Sequence, residues 1–415
     1  MTATGNARLR AARQAVGLRS QAALAEAVTQ AARSIGLRVA VTARTVRRWE
    51  SSEPPWPHPD HARALEALFQ RPVAELGFTP PWSEGATAAE MHAAQPVSAA
   101  IHNHRRLGPA AAEVPSSVVS DYAIATSAYR RMYWSLAGAR VHQPVSHHAV
   151  LGGDLLDHIP QTERETLARA VSECSLLAGR IEFFDLQKPE LAQQSFVLSL
   201  QAAHEANDSL LGAAALAHMA FPPAFSGDRS RAEEARDRVR AARAFARRGD
   251  ANGEMHAWLD AVEAEVETRF GDTRRALDLL HHAEQLYEAK NDRPSPLWMD
   301  WFSEIRLAGF KGNTLLAAGR GRDARETLER VLADLPDDAV KQQSVVLTDL
   351  AAAAVVEKSP ELACTYLSQA LDQLGHYWYA TAMDRVKTVR QSLRKWDSIP
   401  EVRDLDERLY NWHTT

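Results

Sequence analysis

Three arginines cluster in the segment TARTVRRWE, which spans residues 42–50 and has the features of a short helix. Thr42 is a residue type that caps helix N-termini, and Val46 and Trp49, three residues apart, would face a protein core. The outward positions then carry the positive charge: Arg44, Arg47 and Arg48. Exposed arginines pair with phosphates and with guanine edges, so this helix could contact a nucleic acid. The alternative is a face that meets only solvent.

Two further helices precede this segment and would position it. The first spans residues 8–16 and ends at Gly17, and the second begins after the N-cap residue Ser20. Apolar side chains mark their inward faces: Leu9, Ala12 and Val16 on the first, and Leu24, Ala27 and Val28 on the second. The long stretch before Thr42 predicts a longer second helix that ends in a turn at Gly36.

The charge of the chain is unevenly distributed between this head and the rest. Residues 1–78 hold 11 arginines and 6 acidic residues, a net charge of +5. The remaining residues hold 37 basic and 47 acidic side chains, a net charge of −10. A basic head on an acidic body is typical of a protein in which only the head contacts phosphates.

Composition excludes several other classes of protein. No apolar run reaches the roughly 18 residues that a membrane span needs, and the first residues lack the apolar core of a signal peptide, so we expect a cytoplasmic protein without a membrane partner. Cys174 and Cys364 are interpreted as buried apolar residues in a reducing compartment. We expect no metal site at the scattered histidines: His102, His104, His142, His147 and His148. The common catalytic and phosphate-binding motifs are absent, so we predict no enzyme, no catalytic residue and no cofactor.

A weak internal repeat runs through the body of the chain. A small residue recurs at Ala192, Ala276, Ala324 and Ala363. Four positions after each small residue stands a larger one: Phe196, Leu280, Leu328 and Leu367. Three positions further on, the pattern continues with Ser199, Ala283, Val331 and Ala370. A fifth and weaker unit is placed at Gly227 and Ala232. Segments such as GRGRDARETLERVLADLP resemble the second helix of a tetratricopeptide repeat. The pattern predicts an all-α fold in which helix pairs stack into a superhelix with a concave wall.

The first helix of each pair would line that wall and could bind a ligand. In this register the candidate ligand-binding residues are Phe184, Trp258, Glu265, Arg269, Arg306 and Asn313, together with Trp298 and Trp301 from the segment SPLWMDWF. An amide such as that of Asn313 can bind an extended peptide backbone. The alternatives are that the aromatic residues are core and that Asn313 is capped or solvated.

The order of these segments resembles actinobacterial XRE-type regulators, which carry a helix-turn-helix of the phage-repressor kind. The resemblance rests on SQAALAEAV, VTARTVRRWE and WPHPDHARALEALFQRPVAELGF in the head. In the body it rests on YRRMYWS, LAGRIEFFDL, AAHEANDSLLGAAALA, PLWMDWFSEIRLAGFKGN and the closing RVKTVRQSLRKWDSIPEVRDLDERL. It implies a cytoplasmic transcription factor, usually dimeric, that is linked to specialised metabolism or development.

The same resemblance assigns roles to six residues of the head. The third helix would read the major groove, with Ala43, Arg44 and Arg48 at base edges and with Gln21, Thr42 and Arg47 nearer to phosphates or the groove rim. The head departs from the family in two places. The stretch between the second and third helices is longer, and Glu50-Ser51-Ser52-Glu53 lacks the usual glycine after the third helix.

Three functions are compatible with the sequence. The first is a DNA-binding regulator that binds an inverted-repeat operator as a homodimer and senses a peptide or small molecule. The second is an interaction scaffold with weak or no specific DNA binding, and the third is a DNA-binding protein without a ligand. The expected boundaries are 1–79 for a helix-turn-helix domain, 80–117 for a linker, and 118–415 for a tetratricopeptide-like domain that senses the ligand and dimerises.

Overall fold

A computed structural model describes residues 5–79, 114–289 and 293–414, and every regular element in those residues is helical. The all-α prediction is therefore confirmed. The helices are, in chain order, α1 (Ala7–Ala15), α2 (Gln21–Ser34), α3 (Ala43–Trp49), α4 (Pro59–Phe69), α5 (Ser116–Ser135), α6 (Gly138–Leu156), α7 (Gln161–Arg180), α8 (Pro189–Glu205), α9 (Ser209–His218), α10 (Phe221–Phe225), α11 (Ala232–Arg248), α12 (Gly253–Phe270), α13 (Thr273–Glu288), α14 (Glu304–Ala317), α15 (Gly321–Asp334), α16 (Val340–Val356), α17 (Pro360–His376), α18 (Ala380–Ser392) and α19 (Pro400–Thr414).

The chain divides into two compact units. Unit 1 consists of Met1–Gln95 and Leu393–Thr415, and unit 2 consists of Pro96–Ser392. The expected linker at 80–117 lies outside the described residues except for its last four positions. Within the three described stretches, no helix combines the length and the apolar character that crossing a bilayer requires.

Unit 1 buries the apolar faces of its first helices much as the pattern predicts. Leu9, Leu24, Val28 and Val46 are fully buried, and so is nearly all of Trp49. Most of the expected helix boundaries are confirmed, because the side chains of Ser20 and Thr42 accept hydrogen bonds as N-caps and Gly36 follows α2 with a φ of +80°. The prediction for Val16 is wrong: α1 ends one residue earlier, and Val16 is 48% exposed.

The C-terminal segment groups with unit 1, whereas the expected boundaries assigned it to the body. Helix α19 packs against α4. Its buried stripe, Val402, Leu405 and Leu409, has the three- and four-residue spacing of one helix face. The ring of Tyr410 meets that of His58 edge-on at 5.2 Å, and the Arg63 guanidinium donates to the backbone oxygen of Asp397 at 3.2 Å. Both ends of the chain therefore contribute to one unit.

Unit 2 is built largely from consecutive helix pairs. Neighbouring helices pack most extensively as α7 with α8, α9 with α11, α12 with α13, α14 with α15, and α16 with α17. The small and large positions of the repeat fall on the second helix of four of these pairs, and all twelve are buried. The fifth unit is displaced by three residues: Ala232 is only partly buried, and Ala235, Val239 and Ala242 take the core positions of α11.

Two glycines allow the paired helices to approach each other. A Cβ atom on Gly312 of α14 would lie 2.5 Å from a Leu328 methyl group of α15. A Cβ atom on Gly179 of α7 would collide with the Phe196 ring of α8. A larger residue at either position would force the two helices apart.

Candidate nucleic-acid interface and candidate ligand cavity

Helix α3 presents its arginines to solvent. Arg44, Arg47 and Arg48 are all exposed, and within the described residues none of their guanidinium groups forms an ion pair or a hydrogen bond. Thr42 is exposed and Ala43 is half-buried at the start of the same helix. The opposite face of α3, formed by Val46 and Trp49, is buried in the core of unit 1. The sequence-predicted DNA-binding residues of α3 thus share one accessible face.

Glu50, directly after α3, fixes this helix to the rest of unit 1. Its side chain is 5% exposed and accepts hydrogen bonds from Arg13 Nε at 2.7 Å and from Gln21 Nε2 at 2.9 Å. The backbone oxygen of Glu50 accepts from Asn6 N at 3.2 Å. One carboxylate therefore joins the end of α3 to α1 and α2, and this holds the arginine face in a defined orientation.

Two details of the head differ from what the sequence suggests. Gln21, predicted near phosphate or the groove rim, already binds Glu50 through its amide nitrogen. The missing glycine after α3 is replaced by a side-chain cap, because Ser51 Oγ donates to the backbone oxygens of Arg48 at 2.8 Å and Glu53 at 3.0 Å. The chain thus leaves α3 without a left-handed residue at this point. Trp49 packs into the head core, as predicted, and the half-buried Trp56 packs against the same core.

Unit 2 contains a small cavity among its helices, with an internal volume of about 50 Å³. The polar lining includes three cations: Arg180, Arg306 and Lys341. The aromatic lining includes Tyr133, Trp134, Phe184, Trp258, Trp301 and Tyr379. Four of the sequence-predicted ligand residues are brought together here: Phe184, Trp258, Trp301 and Arg306. Sites that bind small molecules combine such an apolar wall with a few polar groups.

The other four predicted ligand residues do not line this cavity. Trp298 is 6% exposed and stacks on Trp301 with 5.5 Å between ring centroids, so it packs against a lining residue without lining the cavity itself. Glu265 accepts hydrogen bonds from Asn313 at 2.9 Å and from Arg269 at 2.8 Å. The amide nitrogen of Asn313, expected to bind a peptide backbone, therefore already donates a hydrogen bond to Glu265 within the protein.

Arg180 is a cavity residue that the sequence reasoning did not select. It is 5% exposed, and its guanidinium carbon lies 4.5 Å from the Trp301 ring centroid and 5.4 Å from that of Tyr133. The described residues provide it with ring faces but no carboxylate within ion-pair distance. The sequence did contain a signal for Arg180, because this residue interrupts the largely apolar run SLLAGRIEFF. An arginine in such a run is expected to be buried, and a buried arginine is rare unless it has a binding partner.

Lys341 is the second cation that the sequence reasoning missed. Its ammonium group donates to Asp185 at 2.9 Å and to the backbone oxygen of Tyr133 at 3.0 Å. Asp185 also accepts from the Tyr133 hydroxyl at 2.9 Å. Burial lowers the pKa of Lys341, although the neighbouring carboxylate raises it. Lys341 is thus a paired structural cation at the edge of the cavity.

Arg306 differs from Lys341 because the described residues offer it no carboxylate partner. Its side chain is half-buried, and no ion pair within 4 Å involves it. The pKa of Arg306 is lowered, chiefly by burial, and the positive charges of Arg180 and Arg385 lower it further. Arg180 and Arg306 therefore place two positive charges in the cavity lining, and neither forms an ion pair within the described residues.

Two neutral polar groups complete the lining. His218 is 3% exposed, and burial together with the charge of Arg180 lowers the pKa of its imidazole to about 3. Its Nδ1 lies 2.8 Å from the backbone oxygen of Ala214 and must carry the proton, so Nε2 is left as an acceptor. The indole nitrogen of Trp301 is buried and has no hydrogen-bond partner in the described residues.

The histidines within the described stretches show no arrangement suited to a metal ion. His142 binds Glu182 at 2.9 Å, and His148 stacks on Tyr122 with 3.8 Å between ring centroids. His102 and His104 lie outside the described residues. Across the stretches that the structure describes, no three metal-ligating side chains come together.

No protein-family model matches this chain, and no curated protein matches it significantly. The resemblance to XRE-type regulators therefore stays a prediction, and the case for a function depends on the residues themselves.

Proposed function

We propose that this protein is a DNA-binding transcriptional regulator whose helical body senses a ligand. The observation that carries the proposal is the arginine face of α3. Its three guanidinium groups are exposed and have no partner among the residues that the structure describes, and Val46 and Trp49 form the opposite, buried face. Like charges so close together repel one another, and bound phosphate or guanine would relieve that repulsion. In this proposal α2 and α3 form a helix-turn-helix, and α3 enters the major groove.

Each residue of the face then has a distinct role. Arg44 and Arg48, with Ala43, meet base edges, while Thr42 and Arg47 contact phosphates. Gln21 takes a supporting role instead of a DNA contact, since its amide nitrogen binds Glu50. The buried carboxylate of Glu50 keeps α3 at a fixed angle, which base reading requires.

Unit 2 supplies the ligand-sensing part of the proposal. Its helix pairs, with small and large core residues at recurring positions, support a tetratricopeptide-like array. The cavity supports a bound ligand, because it holds two arginines that form no ion pair within the described residues, and a poorly solvated cation without a partner costs free energy. A homodimer on an inverted-repeat operator would allow that ligand to change DNA affinity through the spacing of the two heads.

The course of the chain offers a covalent path for this coupling. Tyr379 lines the cavity, α18 follows directly from it, and the chain enters unit 1 at Leu393. Leu393 leads into α19, which packs on α4 of the same unit. In this proposal, a ligand that shifts α18 would also displace the segment that begins at Leu393 in the DNA-binding unit.

The test is selection of DNA from a random duplex library by the purified full-length protein. We expect enrichment of an inverted repeat and salt-dependent binding to it. Arg44→Ala should weaken binding to this sequence by about 1–3 kcal/mol and relax specificity at one position per half-site. Arg33→Ala, which removes an exposed arginine from the end of α2, is the matched control. No enrichment, or equal losses for both variants, would reject the base-reading role and favour a protein-interaction scaffold.

A further inference from the structure

The cavity of unit 2 combines buried positive charge with large aromatic rings. Arg180 is 5% exposed and Trp258 is 3% exposed, and both lie in the same lining. The Trp258 and Trp301 rings meet edge-on with 5.8 Å between centroids. A ligand that satisfies this lining needs an anionic group and a flat apolar body.

The nearby carboxylates form their ion pairs with other cations. Burial raises the pKa of Asp300, and the neighbouring charge of Arg180 lowers it. Asp185 is held by Lys341 and Tyr133, as described above. Asp300 accepts a hydrogen bond from Arg130 at 3.1 Å. Among the described residues, no carboxylate lies within 4 Å of either Arg180 or Arg306. Neither guanidinium group therefore forms an ion pair in the described residues, although the Asp300 carboxylate is near enough to Arg180 to feel its charge.

The cost of such an arrangement is large. A buried charge without a partner loses its hydration, and replacement by an apolar side chain would stabilise the fold. A planar carboxylate matches a guanidinium with two parallel hydrogen bonds, which offsets that cost on binding. The charge pattern is therefore that of a site built for an anion.

The uncharged groups narrow the chemistry of the ligand further. The Trp301 indole N–H is buried without an acceptor, so it can donate one more hydrogen bond to the same anion. Trp258, Trp301 and His218 present ring faces and edges within 6 Å of one another. Aromatic surfaces of this kind favour an aromatic ligand through stacked or edge-to-face contacts.

We propose that the cavity binds a small aromatic carboxylic acid. Its carboxylate lies between Arg180 and Arg306, and its ring lies against Trp258 and Trp301. This inference rests on the proposed sensing role of unit 2 and names the chemical class of the ligand. It replaces the extended peptide suggested by the repeat pattern, because Asn313, the candidate for binding a peptide backbone, is engaged by Glu265.

The first experiment compares acids with their neutral amides. Benzoate, 2-naphthoate and indole-3-acetate, each beside its amide, are titrated into the full-length protein by calorimetry, with inorganic phosphate and a short peptide as further probes. We expect at least one acid to bind about tenfold or more tightly than its amide, since a hydrogen bond to a charged group contributes about 1.5–3 kcal/mol. Equal binding of acid and amide, no binding by any acid, or tighter binding of phosphate or peptide would overturn the proposal.

Variants locate the bound acid. Arg306→Met keeps most of the side-chain stem and should weaken acid binding about tenfold or more. Arg274→Met, which removes an exposed cation from α13, should leave it unchanged. If Arg306→Met fails to fold, Trp301→Phe keeps an aromatic ring and removes the N–H, and it should weaken the acid more than the amide. Unchanged acid binding in a folded cavity variant would contradict the assignment.

The DNA measurement separates this inference from the proposed function. Acid binding that leaves operator affinity unchanged would support the ligand class and reject the sensing role. Failure of all acids with intact operator binding would reject the ligand class and leave the regulator standing.

Discussion

The guanidinium carbon of Arg180 lies 4.5 Å from the centroid of the Trp301 ring, and the indole nitrogen of Trp301 is buried without a hydrogen bond. A cation over a ring face gains a modest attraction, which does not replace a lost ion pair. Arg180 is therefore held against an aromatic ring, and no carboxylate of the described residues lies within 4 Å of it. This relationship between the two side chains is what makes the cavity a candidate binding site.

Arg306→Met should stabilise the free protein. Removal of a half-buried cation that the described residues leave without a carboxylate should raise the free energy of unfolding by about 1 kcal/mol or more. Denaturant unfolding followed by circular dichroism measures the change, with exposed Arg274→Met as the neutral control. A loss of several kcal/mol would show that Arg306 has a structural partner.

Glu50→Gln should loosen the head without affecting the body. The Glu50 carboxylate and Arg13 form a nearly buried pair at 2.7 Å, so loss of the charge should cost about 2–3 kcal/mol. Hydrogen exchange should speed up in peptides from α1 to α3 and stay unchanged in those from unit 2. Glu53→Gln, at an exposed position three residues further on, is the control and should show wild-type exchange. Similar exchange in the two variants would remove Glu50 from its anchoring role.

Two glycines of α14 provide a matched test of helix-pair packing. Gly312→Ala places a methyl group 2.5 Å from Leu328 and should destabilise the protein by about 1–3 kcal/mol. Gly309→Ala meets no atom within 4 Å and should stabilise it by about 0.5–1 kcal/mol, because alanine favours a helix. Changes of the same sign in melting temperature would contradict the packing described for α14 and α15.

His218 should make stability depend on pH. Burial lowers the pKa of its imidazole from 6.5 to about 3 in the folded state, so the unfolded chain binds a proton at higher pH than the folded chain. Its stabilising contribution is complete above pH 6.5 and is lost as the pH falls from 6.5 towards 3.

His218→Asn should remove this effect. Its amide can still donate to the Ala214 backbone oxygen, but it does not titrate. Between pH 6 and 4, the slope of the unfolding free energy with pH should be shallower by about 1.4 kcal/mol per unit. His281→Asn, at an exposed position, serves as the control. Equal slopes in the wild type and His218→Asn would mean that His218 is protonated in the folded state.

Local sequence signals predicted much of this fold. The N-caps at Ser20 and Thr42 were predictable because capping depends on a few adjacent residues. The burial of Ala276, Leu280 and Ala283 followed from helical periodicity. Both kinds of signal act within one or two turns of helix, so no knowledge of distant residues was needed.

The cavity was only partly predictable for the opposite reason. Arg180, Lys341 and Tyr379 come from distant parts of the sequence, and periodicity does not show which helices converge. Asn313 and Glu265 were both selected as ligand residues, yet 48 positions of sequence separate two side chains that bind each other. The C-terminal segment was assigned to the body because its apolar stripe does not reveal which helix covers it.

The role of the α3 arginine face in reading DNA is best tested by genome-wide binding of the tagged protein, compared with that of the double variant Arg44→Ala/Arg48→Ala. We expect discrete peaks that share an inverted repeat and disappear in the variant, while the abundance of the protein is unchanged. Peaks that persist in the variant, or no peaks at all, would contradict a role for the α3 arginine face in reading DNA.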